Sequence, residues 1–240
     1  MTTLDRRVVL VTGGARGLGA AIVTAVAEAG ASVIIGDVRH EQAQAQEREL
    51  RERGLAVACA ALDVTNEDSV RTCIDGIRQR HGRLDAVVNN AGIDVTLPID
   101  ELDSAHWERV LRTNLHGPFL VARHALAALQ ASEGHIVNIA STAARRAWPN
   151  ASAYHASKWG LLGLSHALHA ELRPRRIRVT AVIAGGMRTP FLLERFPDLD
   201  PALLQDPADV ARAVVFALCA PAGSVVAEVM VLPQQETSWP

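Results

Sequence analysis

Short apolar runs rich in β-branched residues recur along the chain, and longer stretches of helical periodicity separate them. Val8-Val9-Leu10-Val11 and Ser32-Val33-Ile34-Ile35 are the clearest of these runs. The pattern predicts strands near 7–12, 32–37, 55–60, 84–89, 134–140, 176–183 and 225–231. Strands that are apolar throughout are buried on both faces, and their regular alternation with helices implies parallel order. The expected fold class is α/β: a single-domain, doubly wound, seven-stranded parallel sheet flanked by helices on both faces. Helix 40–53 is strongly polar, and Glu47/Arg51 and Glu49/Arg53 have supportive spacing, so it reads as a solvated outer helix. Asp206 and Pro207 fit the cap and first turn of a last helix.

Segment 152–172 carries two heptad stripes. Tyr154, Lys158, Leu161, Ser165, Leu168 and Leu172 begin polar and turn apolar, as suits a helix whose amino end meets a ligand. His155, Trp159, Leu162, His166 and His169 form a second stripe, too aromatic and apolar for plain surface. No third ligand accompanies the two later histidines, so no metal site is expected.

Bulk properties narrow the function. The 240 residues suit one domain, 1–240, with no linker dividing it, and the 49% apolar content supplies a sizeable core. A formal charge of −2 shows no basic excess, which argues against nucleic acid as a partner. Cys59, Cys73 and Cys219 lack metal-ligand or redox spacing and read as packing residues. The polar start, Met1–Arg7, is unlike a signal peptide, and no apolar run reaches the ~18 residues of a membrane span. A cytoplasmic protein is expected.

Two motifs carry chemistry. The first strand runs into Thr12-Gly13-Gly14-Ala15-Arg16-Gly17-Leu18-Gly19, which reads as strand, tight turn and helix. Glycines there let the backbone approach a pyrophosphate, which then lies at the positive end of the helix dipole. Asp37 closes the next strand about twenty residues on, where a carboxylate accepts hydrogen bonds from an adenosine ribose. The second motif is Tyr154 with Lys158 four residues later and Ser141 thirteen residues before. One helical turn places the phenol and the ammonium on the same face. Free tyrosine titrates near ~10, and a neighbouring cation lowers that value toward one useful for proton transfer.

Thr12–Gly19, Asp37, Asp63-Val64, Asn89-Asn90-Ala91-Gly92, Asn114, Ser141, Tyr154/Lys158 and Thr189 follow one another in the order of a known family. Over nearly its whole length the chain resembles the short-chain dehydrogenase/reductases. The resemblance implies a Rossmann-like fold and an oxidoreductase moving a hydride between a nicotinamide cofactor and a small or medium secondary alcohol or ketone. It implies Tyr154 as general acid/base, Lys158 lowering its pKa and bonding the nicotinamide ribose, Ser141 holding the substrate oxygen, and Asn114 ordering a water relay. It further implies that Gly13, Arg16, Gly17, Leu18, Gly19, Asp63, Val64, Asn89, Ala91, Gly92, Met187 and Thr189 bind the cofactor. Family members commonly pair helices 116–131 and 152–172 across an interface, implying a homotetramer or dimer.

Charge decides the form of the cofactor. Asp37 favours NAD by repelling the 2′-phosphate of NADP, whereas Arg16 and Arg39 attract it, leaving an NADP(H)-dependent ketoreductase as the alternative. Ala184 stands where the family usually has proline, which frees φ and adds a backbone donor, so a looser loop is expected. Substrate contacts are expected from Asp94–Leu97, Ala143–Trp148 and Met187–Arg195, the last within a modest lid at about 187–206, with Trp148 walling the pocket. Arg145, Arg146 and Arg188 read either as anchors for an anionic substrate or as solvated charge. A non-catalytic nucleotide-binding scaffold is the reading from a different class, since fold alone does not establish activity. The polar tail 234–240 is expected to fray unless Trp239 docks on a neighbouring subunit.

Overall fold

In the computed structural model, which describes residues 3–235, the apolar runs form seven strands: β1 (Val8–Thr12), β2 (Ser32–Asp37), β3 (Val57–Ala61), β4 (Ala86–Asn89), β5 (His135–Ser141), β6 (Arg178–Ala184) and β7 (Glu228–Val231). They make one parallel sheet in the order β3-β2-β1-β4-β5-β6-β7. The order reverses direction between β1 and β4, and at such a switch point a crevice opens beyond the carboxyl ends of the strands. Several strands are shorter at their start than the apolar runs suggested, and β2 matches its run. Most of the tail assigned to 234–240, including Trp239, lies outside the described residues.

Successive side chains of a strand face opposite ways, and each face has its own core. Val9 and Val11 of β1 pack toward α1 (Gly17–Glu28), α2 (His40–Glu52) and α8 (Pro207–Leu218). Val8 and Leu10 pack toward α3 (Glu67–His81) and α5 (Gly117–Ser132). The long helix α6 (Ser152–Leu172) lies against β5 and β6. Caps fix where several of these begin. Asn66 accepts from Ser69 N–H at 3.0 Å ahead of α3, and Asp206 accepts from Ala208 N–H at 2.9 Å ahead of α8.

Three features differ from the reading of the sequence. A helix α4 (Ser104–Leu111) runs through a π-helical turn, Arg112–His116, directly into α5, so the helix read from 116 is the end of a longer one. Glu47 does pair with Arg51 at 3.2 Å, but Arg53 turns away from Glu49 to Glu28 of α1. The stripe from His155 to His169 is unevenly covered: His155 and Leu162 are buried, while Trp159 is half-exposed and His166 binds Glu228 on the surface.

Candidate active site

The glycine segment after β1 is built for close approach. Gly13 has φ +62°, and a Cβ there would lie 2.8 Å from the Cα of Ala91. A Cβ on Gly19 would lie 1.9 Å from the Gly13 carbonyl oxygen. The turn is thus pressed against the segment that follows β4, and Asn90 holds the two together by donating to the carbonyls of Thr12 (3.0 Å) and Gly13 (2.9 Å). The Thr12 hydroxyl accepts from the N–H groups of Asn90 and Ala91, each at 3.1 Å. Helix α1 then starts at Gly17 with no side chain capping its first turn, which leaves backbone donors and the positive dipole end for an anion.

Asp37 ends β2, almost fully buried, and accepts from Ala15 N–H (3.0 Å) and Arg39 N–H (2.9 Å). Asp63 accepts from Thr65 through its backbone N–H (2.9 Å) and hydroxyl (2.7 Å), and buried Val64 packs where α5 begins at Gly117. Gly13, Arg16, Gly17, Leu18, Gly19, Asp37, Asp63, Val64, Ala91, Gly92, Met187 and Thr189 all line one cavity of about 680 Å³. Ser141, Tyr154 and Lys158 line it too. Asn89 does not. Its amide turns away to donate to Asn138 at 2.8 Å, and Asn90 takes the place at the cavity wall. Side chains alternate along a strand end, so a shift of one position reverses which asparagine faces the ligand.

Ser141 closes β5, where its hydroxyl accepts from Ala143 N–H at 3.2 Å. Tyr154 lies in the first turn of α6 with its ring 5.9 Å from that of Phe191, and Lys158 lies one turn on. Burial pushes the Tyr154 phenol up to about 12; hydrogen bonding to Ser141 opposes the rise, the negative charge of Asp94 adds to it, and Arg195 opposes it. Burial also holds Lys158 down to about 8, against the pull of Asp94. The expected lowering of Tyr154 by Lys158 is absent: the ammonium donates to the Ile139 carbonyl at 2.8 Å and lies 5.6 Å from the tyrosine ring centre. Asn114, fully buried in the π-helical turn, accepts from Ile93 N–H (2.8 Å) and donates to the Ile93 carbonyl (2.8 Å) and the Ser157 hydroxyl (3.0 Å).

The substrate side is ordered by contacts the sequence did not announce. The lid contains a short helix, α7 (Pro190–Leu193), and a 3-10 turn, Pro201–Leu203. Glu194 forms a two-pronged ion pair with Arg16 at 2.8 and 3.2 Å, and Arg195 pairs with Asp94. Beside Ala184, Gly185 N–H bonds the Val231 carbonyl (2.9 Å) and Gln205 N–H bonds the Gly186 carbonyl (3.2 Å). Arg145 is taken by Glu228, and Arg188 by the Leu204 carbonyl and Asp206. Trp148 lines the cavity and meets His155 edge-on at 4.3 Å.

A glycine turn that admits no Cβ, uncapped helix donors and a carboxylate at the tip of β2 fit a dinucleotide, with phosphates at α1 and a ribose at Asp37. Such a fold with such a site defines a nucleotide-dependent oxidoreductase. The sequence profile described as short chain dehydrogenase matches residues 7–200. The cis-4-hydroxycyclohexanecarboxylate dehydrogenase of Sinomonas cyclohexanicum is 37% identical over 93% of this chain and 94% of its own. The cyclopentanol dehydrogenase of a Comamonas species is 34% identical over 90% of this chain and 91% of its own. The structure of a gluconate 5-dehydrogenase from Burkholderia cenocepacia, in complex with NADP and tartrate, superposes with a TM-score of 0.89 at 29% identity, covering 98% of this chain and 96% of that one. The chain belongs to the short-chain dehydrogenase/reductase family and is an NAD(P)-dependent oxidoreductase acting on CH–OH groups.

Proposed function

We propose that the protein interconverts a small or medium secondary alcohol and its ketone, with NAD(H) as cofactor and Tyr154 as general acid/base. The observation that carries this reading is the gathering of Ser141, Tyr154 and Lys158 on the same cavity wall as the glycine turn and Asp37. The nicotinamide, when bound, supplies the hydride chemistry. Ser141 orients the substrate oxygen. Tyr154, protonated in the free protein, gives its proton to a carbonyl oxygen in reduction and takes one from the alcohol in oxidation. Gly92 lies beside both Asn114 and Lys158, since a Cβ there would be 3.4 Å from Asn114 Oδ1 and 3.8 Å from Lys158 Nζ. A water relay ordered by Asn114 replenishes the proton.

NAD is favoured because Asp37 stands at the ribose position while Arg16 is committed to Glu194 and Arg39 lies 3.8 Å from Asp37 itself. The NADP held by the gluconate 5-dehydrogenase keeps an NADP(H)-dependent ketoreductase as the second reading. The ring alcohols named for the two curated relatives support a cyclic secondary alcohol.

Thermal stability measured with NAD, NADH, NADP and NADPH tests the reading. A ligand at a hundred times its Kd adds about 2.7 kcal/mol. A shift with NAD or NADH alone is expected; a shift with only the phosphorylated forms moves the site to the arginines; no shift with any overturns the assignment. Tyr154→Phe is expected to abolish turnover while the cofactor still raises Tm.

No helix among the described residues is long and apolar enough to cross a membrane. We place the protein in the cytoplasm as a homotetramer or dimer that buries the exposed Phe119 and Trp159 of α5 and α6. A monomer by light scattering at micromolar concentration would exclude that assembly.

A further inference from the structure

Asp94 follows β4 and lines the cavity that holds Tyr154 and Ser141, and its side chain is 5% exposed. One carboxylate oxygen, Oδ2, is bound by Arg195. The other, Oδ1, is buried with no hydrogen-bond partner among the described residues. A buried carboxylate oxygen left unpaired loses its hydration without compensation, so its presence calls for a donor that arrives from elsewhere. Asp94 is also near enough for its charge to act on both Tyr154 and Lys158. Ile93, Trp148, Phe191, Phe196 and Leu199 give the same cavity apolar lining.

We propose that Asp94 is a specificity-determining residue whose free carboxylate oxygen binds a second hydroxyl of a neutral, hydroxylated substrate while the reacting oxygen meets Tyr154 and Ser141. This rests on the alcohol-oxidoreductase reading above and narrows it to diols and hydroxyketones. A carboxylate substrate fits less well beside Asp94, because the arginine there, Arg195, is already neutralised. Arg195 gives Nη1 to Asp94 and Thr96 and Nε to the Phe191 carbonyl, and its guanidinium lies over the rings of Phe191 (4.4 Å) and Phe196 (5.4 Å). An incoming anion meets a charge-balanced pair with a carboxylate in front. A hydroxyl satisfies the orphaned oxygen and leaves the ion pair intact.

The test compares kcat/KM for cyclohexanol, the 1,2-, 1,3- and 1,4-cyclohexanediols and 4-hydroxycyclohexanecarboxylate, in wild type and in Asp94→Asn. A site that hydrogen-bonds a hydroxyl discriminates strongly against the analogue lacking it. The best diol is expected to exceed cyclohexanol by about tenfold or more in wild type, and the ratio to fall to about twofold or less in Asp94→Asn. The ratio is the readout, so a general loss of activity does not imitate the result. Should Asp94→Asn fail to fold, Asp94→Asn combined with Arg195→Gln removes the pair without leaving a buried charge. Diols no better than cyclohexanol, or a preference that survives the substitution, overturn the proposal. A carboxylate preferred over every diol overturns it in favour of Arg195 as the anchor. If no alcohol or ketone is turned over with any nicotinamide cofactor, the oxidoreductase reading falls first and this inference with it.

Discussion

Lys158 lies near the Tyr154 ring while bonded elsewhere: the ammonium is 5.6 Å from the ring centre and donates to the Ile139 carbonyl. Both groups are buried, and burial disfavours the charged form of each. The pair therefore leaves a mark on stability as well as on chemistry.

Lys158 titrates at about 8 in the folded protein, below its ordinary value of 10.5. Between those pH values the unfolded chain binds more protons than the native one, so this group makes stability rise with pH across the window. Tyr154, raised to about 12 from 10.0, acts in the opposite sense: above pH 10 the native state holds the proton longer, and stability falls. Urea unfolding from pH 7 to 11 is expected to show a rise between about 8 and 10 in wild type that Lys158→Met removes. A pH dependence identical in the two proteins would show that the lysine is not desolvated.

The Arg16–Glu194 pair joins the glycine turn to the lid, yet Glu194 is mostly exposed and Arg16 partly so. Such pairs contribute ~0–1 kcal/mol, so Glu194→Gln is expected to change Tm by no more than about 4 °C. Its effect falls on the cofactor. Arg16, released, faces the ribose end of the cleft, and the affinity ratio of NADP to NAD rises. Fluorescence titration with NADH and NADPH reads this directly.

Two glycines give opposite outcomes for the same substitution. Gly19→Ala places a methyl 1.9 Å from a backbone oxygen, and the turn and α1 have to separate. A loss of about 3 kcal/mol or more is expected, together with loss of cofactor binding. Gly76, inside α3, has nothing within 4 Å of a Cβ. Gly76→Ala is expected to gain roughly 0.5–1 kcal/mol in denaturant unfolding.

His155 ties both ends of the Ala143–Trp148 loop. Its Nδ1 bonds the Ala143 carbonyl at 3.0 Å and its Nε2 accepts from Trp148 N–H at 3.1 Å. Those partners require a proton on Nδ1 and a lone pair on Nε2. His155→Ala leaves both backbone groups unpaired, at about 1–3 kcal/mol. Trp148 then moves freely at the cavity wall. KM for substrate is expected to rise more than kcat falls, with His155→Gln restoring part of the difference. An effect on kcat alone would count against the loop as a substrate wall.

The architecture was legible because parallel strands buried on both faces leave unbroken apolar runs, and because the chemistry-bearing residues follow their ends in a fixed order. Helix α6 was readable to its limits from its two stripes. What escaped was non-local. Arg16 reads as a free cation until the fold brings Glu194 to it across 178 positions. Asp94 was legible only as one of a run of substrate-facing positions, since its pairing comes from Arg195, 101 positions away. The neighbouring asparagines differ by one step along a strand end, and no pattern tells which of Asn89 and Asn90 turns inward. The dryness of Tyr154 and Lys158 also escaped, because a shared helical face does not fix the distance between two polar tips or how deeply they are buried.

The π-helical turn at Arg112–His116 sets where Asn114 aims. A turn of this kind holds one residue more than the regular helix around it. Removing one residue there would restore an ordinary helix with α4 and α5 still presenting nearly the same faces. Asn114 would then lose its aim at Ile93. The aim of this amide thus depends on the number of residues between two packed helices more than on their identity. Single-residue deletions in this stretch should be tolerated far less well than substitutions at its exposed positions, and residue count here acts as a constraint on how the chain can change.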